Sequence, residues 1–483
     1  MNQIRWGTVL ALLILIPIIG RAQVSQVHLG WSENNVHETM TVMWYSPVKA
    51  CQIVYYDIDS GTVPADYQYN LSGEPSKIEP MKDIEGTLLS PQPKPFDGYY
   101  YTAPLVDLLP GQTYSFRIHD EYTGTLTREW CFRTIDYGET IEFAFAGDSQ
   151  RPHEINGVDF AQLIGRPDSP ANWPYMRNFI TQKAAGLEPD FFLGLGDFVS
   201  RGNNQEQWHN WFDAWQDYAV TDAGRMIPMV PVIGNHEMGG YTSVEPTSYE
   251  WFMGLFAIPH PPQAPPGVPC YSLDFPNLHL TVLAATSGQI MDNAMLAAYE
   301  AEMQVPWLAG DLTSAVAQSA KWQFVAFHYN YLGCFLACTG YGSDEYMGVW
   351  TQLLQDWGVD TILMGHTHNY TRSWPVCLDL PPNQCSGGSL GYTKTPYSED
   401  GVTYITHGGW GGVSSLIVDG EACQLRDWIA AAASHPSLGY VRLDDVTCHF
   451  LIEDTAGGDP LDEFTLPYAP DYNDYLEYTE MVP

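Results

Sequence analysis

A β-sandwich followed by an α/β domain is the fold class this sequence predicts, and three observations carry it. From Val24 to about Thr134, short alternating runs are punctuated by turns, whereas beyond Gly138 apolar strands alternate with helical stretches. At 483 residues the chain exceeds what one ordinary core serves, so two domains are expected. Several of the later apolar runs end on polar groups, most of them led by glycine, at the strand ends where α/β sheets collect ligands.

The first element, residues 1–22, reads as a secretory signal. Arg5 supplies the positive start, Trp6 to Ile19 is apolar, and Gly20-Arg21-Ala22 resembles a cleavage site. The run is short for a bilayer span, which needs roughly 20 apolar residues; an uncleaved anchor is the alternative. No later apolar stretch is long enough to span, and the acidic C-terminus has no hydrophobic tail. A secreted protein, extracellular or periplasmic and without a stable membrane anchor, is expected.

Val27-His28-Leu29 and Thr39 to Tyr45 alternate with period 2, as half-buried strands do. Tyr99 to Leu105, the turn Leu109-Pro110-Gly111-Gln112, Thr113 to Ile118 and Glu129 to Thr134 continue the series. Regular short strands of this kind predict a sandwich over residues 24–136. The α/β domain is expected over 139–470, with Asn204 to Tyr218 helical, and an acidic tail over 471–483. In that domain Ile141 to Ala146 leads to Asp148, and Phe191 to Leu195 leads to Asp197. Met229 to Ile233 leads to Asn235 and His236, Phe324 to Phe327 to His328, and Thr361 to Met364 to His366 and His368.

Twenty Lys and Arg oppose 57 Asp and Glu, a formal net charge of −37. Such a field repels nucleic acid and anionic membranes, and it disfavours an anionic substrate unless cations or a local Arg reverse the sign. Nine cysteines in an exported chain suggest some disulfides. Cys334/Cys338, Cys377/Cys385 and Cys51/Cys131 are the candidate pairs, and the odd count leaves at least one free thiol or an intermolecular bond.

Taken singly, Asp148, Asp197, Asn235, His328, His366 and His368 are ordinary cap or turn residues. Together, after five separate strands, they form an oxygen and nitrogen ligand set suited to Fe, Mn or Zn. Two adjacent cations need a carboxylate between them, and Asp197 is the candidate bridge. Such a pair, roughly 4 Å apart, activates a bound water and clamps phosphoryl oxygens.

The series GD, GD, GNHE, H, GHTH resembles the calcineurin-like metallophosphoesterase superfamily. The preceding sandwich and the domain order resemble purple acid phosphatases, as do Gly408-Gly409-Trp410-Gly411-Gly412 and the closing strands to Leu466. The resemblance implies a fibronectin type III-like N-terminal domain and a four-layer αββα metallophosphoesterase domain. It implies Asp148, Asp197 and His368 on a first metal, and Asp197, Asn235, His328 and His366 on a second. It also implies His236 as the general acid to the leaving group. Gly196-Asp197-Phe198-Val199-Ser200-Arg201-Gly202 resembles a protein-phosphatase motif whose Arg holds phosphate, which makes Arg201 the candidate clamp.

Two positions depart from these families. Gln150 stands where the superfamily usually has His, and Ser200 stands where purple enzymes have Tyr. The first metal's remaining ligand is then the Gln150 amide oxygen or a water. His153 and His407 lie near the motif loops and His209 in a Trp-rich stretch; packing or surface roles are the simpler expectation for each. Tyr329 and Asn330 are assigned no role.

The expected activity is hydrolysis of a small phosphomonoester by attack of a metal-bound hydroxide. Phosphodiester or nucleotide hydrolysis at the same site, and a weakened binding or adhesion protein, are the alternatives. The oligomeric state is not legible.

Overall fold

A computed structural model describes residues 24–78, 96–138, 140–150, 154–155, 158–159, 173–238, 249–285, 294–330, 350, 353–378, 392–394, 401–411, 429–455 and 457–467. The leader, the acidic tail, His153, Cys334, Cys338 and Cys385 lie outside them, and the side chain of Cys377 is not described.

The Thr113–Asp120 strand buries every second residue, as its sequence alternation requires. Gln52–Asp57 pairs with it, and Tyr69–Ser72, Thr125–Leu126 and Trp130–Arg133 complete an antiparallel sheet. The facing sheet runs in the order Ser25–Gly30, Met40–Ser46, Tyr99–Leu105, Glu74–Ser76. Between them Val54, Phe116, Phe132 and the stacked Trp44 and Tyr101 rings are buried.

Met40–Ser46 is buried along its whole length and Ser25–Gly30 nearly so, instead of on one face as the alternation predicts. The reason is tertiary. The Gln205–Tyr218 helix of the second domain packs on the Ser25–Gly30 strand, and its Gln216 side chain accepts from the Val27 amide at 2.9 Å. The outer face is therefore an interdomain core.

Cys51 and Cys131 are free thiols, which corrects the expected pairing. Both flank the Thr113–Asp120 strand, but Cys131 is opposite Ser115 while the Cys51 carbonyl accepts from Glu121. Six residues of extended chain separate those levels, roughly 20 Å, against the limit of about 7 Å between bridged Cα atoms.

Two sheets form the second domain. One runs Met229–Pro231, Phe191–Gly194, Ile141–Ala146, Ser437–Leu443, Thr447–Asp454, Asp462–Pro467, its first three strands parallel. The other runs Tyr271–Phe275, Leu278–Val282, Trp322–Phe327, Thr361–Met364, Thr403–His407, Tyr370–Ser373, Ile429–Ala433, parallel from Leu278–Val282 to Thr403–His407. They meet face to face through Phe143, Phe324 and Phe450. On the outside of the first lie the helices Trp173–Gly186 and Gln205–Tyr218; the second, expected as helical from Asn204, begins after Asn204 as its cap. Its Trp208, Trp211, Phe212 and Trp215 form one buried stripe, with Trp215 edge-on to Phe192. The Ala294–Leu312 helix covers the other sheet, where the Gln304 amide bonds both backbone groups of Ala284 at 2.8 Å. Among the described residues, no helix is long and apolar enough to cross a membrane.

Candidate metal centre

Strands from both sheets end at one place. Ile141–Ala146, Phe191–Gly194 and Met229–Pro231 deliver Asp148, Asp197 and Asn235 from one sheet; Trp322–Phe327 and Thr361–Met364 deliver His328, His366 and His368 from the other. Three of these residues are held with positive φ: Asp148 at 65°, Asp197 at 54° and His366 at 70°. That region is costly for non-glycine residues and concentrates at functional sites. Their neighbours are glycines for want of room. A Cβ on Gly234 would lie 2.3 Å from the Asp197 amide nitrogen, and one on Gly365 would lie 2.4 Å from the Leu195 carbonyl.

The two aspartates are used alike. Asp148 Oδ2 accepts from the His366 amide at 2.9 Å, and Asp197 Oδ1 accepts from the His236 amide at 2.9 Å. Each second oxygen is left facing ring nitrogens. Asp197 Oδ2 is 3.2 Å from His328 Nε2 and 3.7 Å from His236 Nε2, and Asp148 Oδ1 is 3.3 Å from His368 Nε2. Asn235 Oδ1 lies 3.1 Å from His328 Nε2 and 3.0 Å from His366 Nδ1. The ligand atoms of Asp197, His328 and His366 all fall within 4.8 Å of one another.

His328 donates its Nδ1–H to the Leu195 carbonyl at 2.7 Å, which aims Nε2 at Asn235 and Asp197. Burial opposes its charge, yet the Asp197 carboxylate pushes its pKa up to about 9. Burial and then the neighbouring His328 push His366 down to about 3. Burial works against ionised Asp197, but the His328 and His236 rings hold its carboxyl well below the usual carboxylate range.

Whether these residues fit a cation is decided by what the protein leaves unpaired. Asp148 Oδ1 and Gln150 Oε1 are both buried and without a hydrogen-bond partner, an arrangement that costs about 1–3 kcal/mol per group unless something else satisfies it. Gln150 Nε2 stands 3.3 Å from Asp197 Oδ2 and 3.1 Å from His368 Nε2. A half-turn of that amide brings its oxygen into the ligand set. The donor set and its two orphaned oxygens therefore fit metal ions.

His236 donates Nδ1–H to the Ser200 carbonyl at 2.8 Å. Arg201 is exposed, its amide bonded to Gln207 at 2.9 Å, and its guanidinium has no ion-pair partner among the described residues. His407 is buried against Phe145 and bonded to Ser437. His209 packs on Tyr45 and Phe96. The Tyr329 ring lies on His366 at 4.3 Å, and Asn330 donates to Thr367.

Glu237 went unassigned in the sequence, yet it is central here. Its carboxylate is buried and accepts from the amides of Asp197 and Gly234, both at 2.8 Å, Phe198 at 2.9 Å and Val199 at 3.3 Å. Burial, then the nearby Asp197 charge, pushes its pKa up, and the Val199 and Gly234 amides pull against that shift. Its place after His236 was the only available signal.

Comparison with known proteins agrees with this geometry. Residues 141–370 match the model of the calcineurin-like phosphoesterases, and residues 24–134 match that of the purple acid phosphatase N-terminal domain. The chain belongs to the calcineurin-like metallophosphoesterases. Within them it has the two-domain build of the purple acid phosphatases. An uncharacterized Mycobacterium tuberculosis protein is 26% identical over 354 residues, 67% of this chain and 60% of that protein. The chain thus spans less than two thirds of that relative. Purple acid phosphatase 23 of Arabidopsis thaliana is 23% identical over 405 residues, 79% of each. The solved purple acid phosphatase of yellow lupin shares the fold, with TM-score 0.65 at 16% identity over 92% of this chain and 74% of that one.

Proposed function

We propose that the chain is a secreted phosphatase hydrolysing small phosphomonoesters, with residues 24–136 as an N-terminal module and 139–470 as the catalytic domain. The observation that carries this reading is the paired use of Asp148 and Asp197, each spending one oxygen on a histidine amide and presenting the other to imidazole nitrogens. Two ions, of Fe, Mn or Zn, would be held there. Asp148, Gln150, Asp197 and His368 would take the first, and Asp197, Asn235, His328 and His366 the second. Bound there, the ions would supply Lewis-acid polarisation of the phosphoryl group and activation of water.

The chain's own residues do the rest. Because His236 Nδ1–H is committed to the Ser200 carbonyl, its Nε2 is the atom that holds the proton for the leaving oxygen. The Arg201 guanidinium, unpaired among the described residues, suits a phosphate oxygen pair. In a chain of net charge −37 such a local cation matters for drawing in an anion. The leader over residues 1–22 supports export.

Metal analysis of the purified protein beside a panel of monoesters, diesters and nucleotides tests this. Two metal equivalents and hydrolysis of monoesters first, abolished by chelation, are expected. Faster turnover of diesters or nucleotides moves the reading to those substrates. Bound metal with no ester cleaved leaves a binding protein.

A further inference from the structure

Two loops carry most of the chemistry assigned above. Gly196 to Gly202 bears Asp197 and the carbonyl that orients His236, while Gly234 to Glu237 bears Asn235 and His236. They come from the adjacent parallel strands Phe191–Gly194 and Met229–Pro231. Neither loop has a ladder of its own, so its backbone amides need other acceptors. Glu237 supplies them. Oε2 takes the Asp197 and Gly234 amides, one from each loop, and Oε1 takes those of Phe198 and Val199. The loops are closed further by the Gly202 amide on the His236 carbonyl at 2.8 Å. There is no slack: a Cβ on Gly202 would sit 1.8 Å from the Glu237 carbonyl oxygen.

We infer that Glu237 is the positioning residue of this centre, a carboxylate that ties the two loops through four backbone amides and so fixes Asp197 as bridge and His236 as acid. Both of its oxygens are taken up by those amides. Four amides converging on one buried carboxylate hold Asp197 at its φ of 54°, a conformation its own side chain disfavours. This inference rests on the phosphatase reading for its catalytic consequence but not for its structural one.

The conservative variant Glu237→Gln separates positioning from bulk stability. A glutamine presents one oxygen and one NH₂, so two of the four amides face a donor. Affinity for added Mn²⁺ or Zn²⁺, titrated well below the melting temperature, should fall about 10–100-fold, with kcat falling at least as far. Val441→Ala, a core cavity in Ser437–Leu443 away from the centre, should lower Tm while leaving metal affinity unchanged. E237Q that binds metal as tightly as wild type, or V441A that loses affinity in proportion to its Tm, overturns the inference.

Should E237Q fail to fold, wild type alone answers. Hydrogen exchange on metal-free protein should show the peptide spanning 196–202 already protected, because Glu237 and not the metal closes it. Free exchange there until metal is added overturns the inference. A wild type with normal metal affinity and protection but no ester hydrolysis would sink the phosphatase reading and leave the Glu237 tie standing.

Discussion

Two carboxylate–histidine clusters in this protein look alike in composition and differ in closure. His279 lies between Asp274, 2.6 Å from Nδ1, and Asp311, 3.1 Å from Nε2. Ser272 and Thr281 donate to Asp311, and Asn34 to Asp274. Every atom of that cluster has a partner within the protein. At the strand ends, Asp148 Oδ1 and Gln150 Oε1 have no hydrogen-bond partner, and the His328 and His366 ring nitrogens converge on the Asn235 carbonyl oxygen. The first cluster is complete as a hydrogen-bonded salt bridge. The second leaves two oxygens open, as a site for cations would. Ligand sites are thus distinguished by what the protein withholds from its own polar atoms.

The strongest way to break the comparison is at Asp197. If two cations share Asp197 as proposed, Asp197→Asn keeps the shape and removes the charge that offsets them, so metal should be released and activity should fall to background. Metal analysis after gel filtration checks this, and full metal content with near-native turnover would remove Asp197 from the bridge.

His236 and Arg201 come next. His236→Ala should slow alkyl phosphates by about 10²–10⁴-fold while activated aryl phosphates, whose leaving groups need no proton, lose far less. Metal content should stay normal. Arg201→Ala should weaken both substrate types together, by about 10²–10³-fold. Equal losses on both substrates for H236A would make His236 a positioning residue rather than the acid.

What could be read beforehand was local. Glycine and polar residues after an apolar run mark a strand's carboxyl end, so Asp148, Asp197, Asn235, His328, His366 and His368 were all visible. Strand periodicity does not say which sheet a strand joins, and the division of these ligands between two facing sheets appeared only in the fold. Alternation failed for Ser25–Gly30 because a helix about 175 residues downstream packs on its outer side, and His209 of that helix also lies against Tyr45 of Met40–Ser46. Glu237 was hidden for a related reason: its value lies in amides of a loop some 40 residues earlier, and no local pattern points there.

Gln150 tests the open cluster more gently. If its amide oxygen completes the first metal's ligand set, Gln150→Ala should weaken one of two binding steps about 10–100-fold and leave the other intact. Gln150→His, which restores the residue the superfamily usually carries there, should recover that step. Calorimetric titration with Zn²⁺ resolves the steps. Two unchanged steps in Q150A would assign the position to water.

The smallest effect belongs to the closed cluster and is one of stability alone. Burial penalises a charged His279, but its bonds to Asp274 and Asp311 outweigh that and raise its pKa to about 9. The unfolded value is about 6.5, so between these limits the folded state binds more protons than the unfolded one, and stability falls as pH rises. The contribution is complete below about pH 6.5, amounts to no more than about 3 kcal/mol, and is gone above about pH 9. His279→Gln should therefore melt below wild type at pH 6, with the gap closing steadily toward pH 9. Groups shared by both proteins cancel in that difference. Metal content and turnover at pH 6 should be unchanged, since nothing in this cluster waits for a cation. A melting gap that stays constant across the range would show that His279 acts by packing, and metal loss in H279Q would erase the distinction between the two clusters.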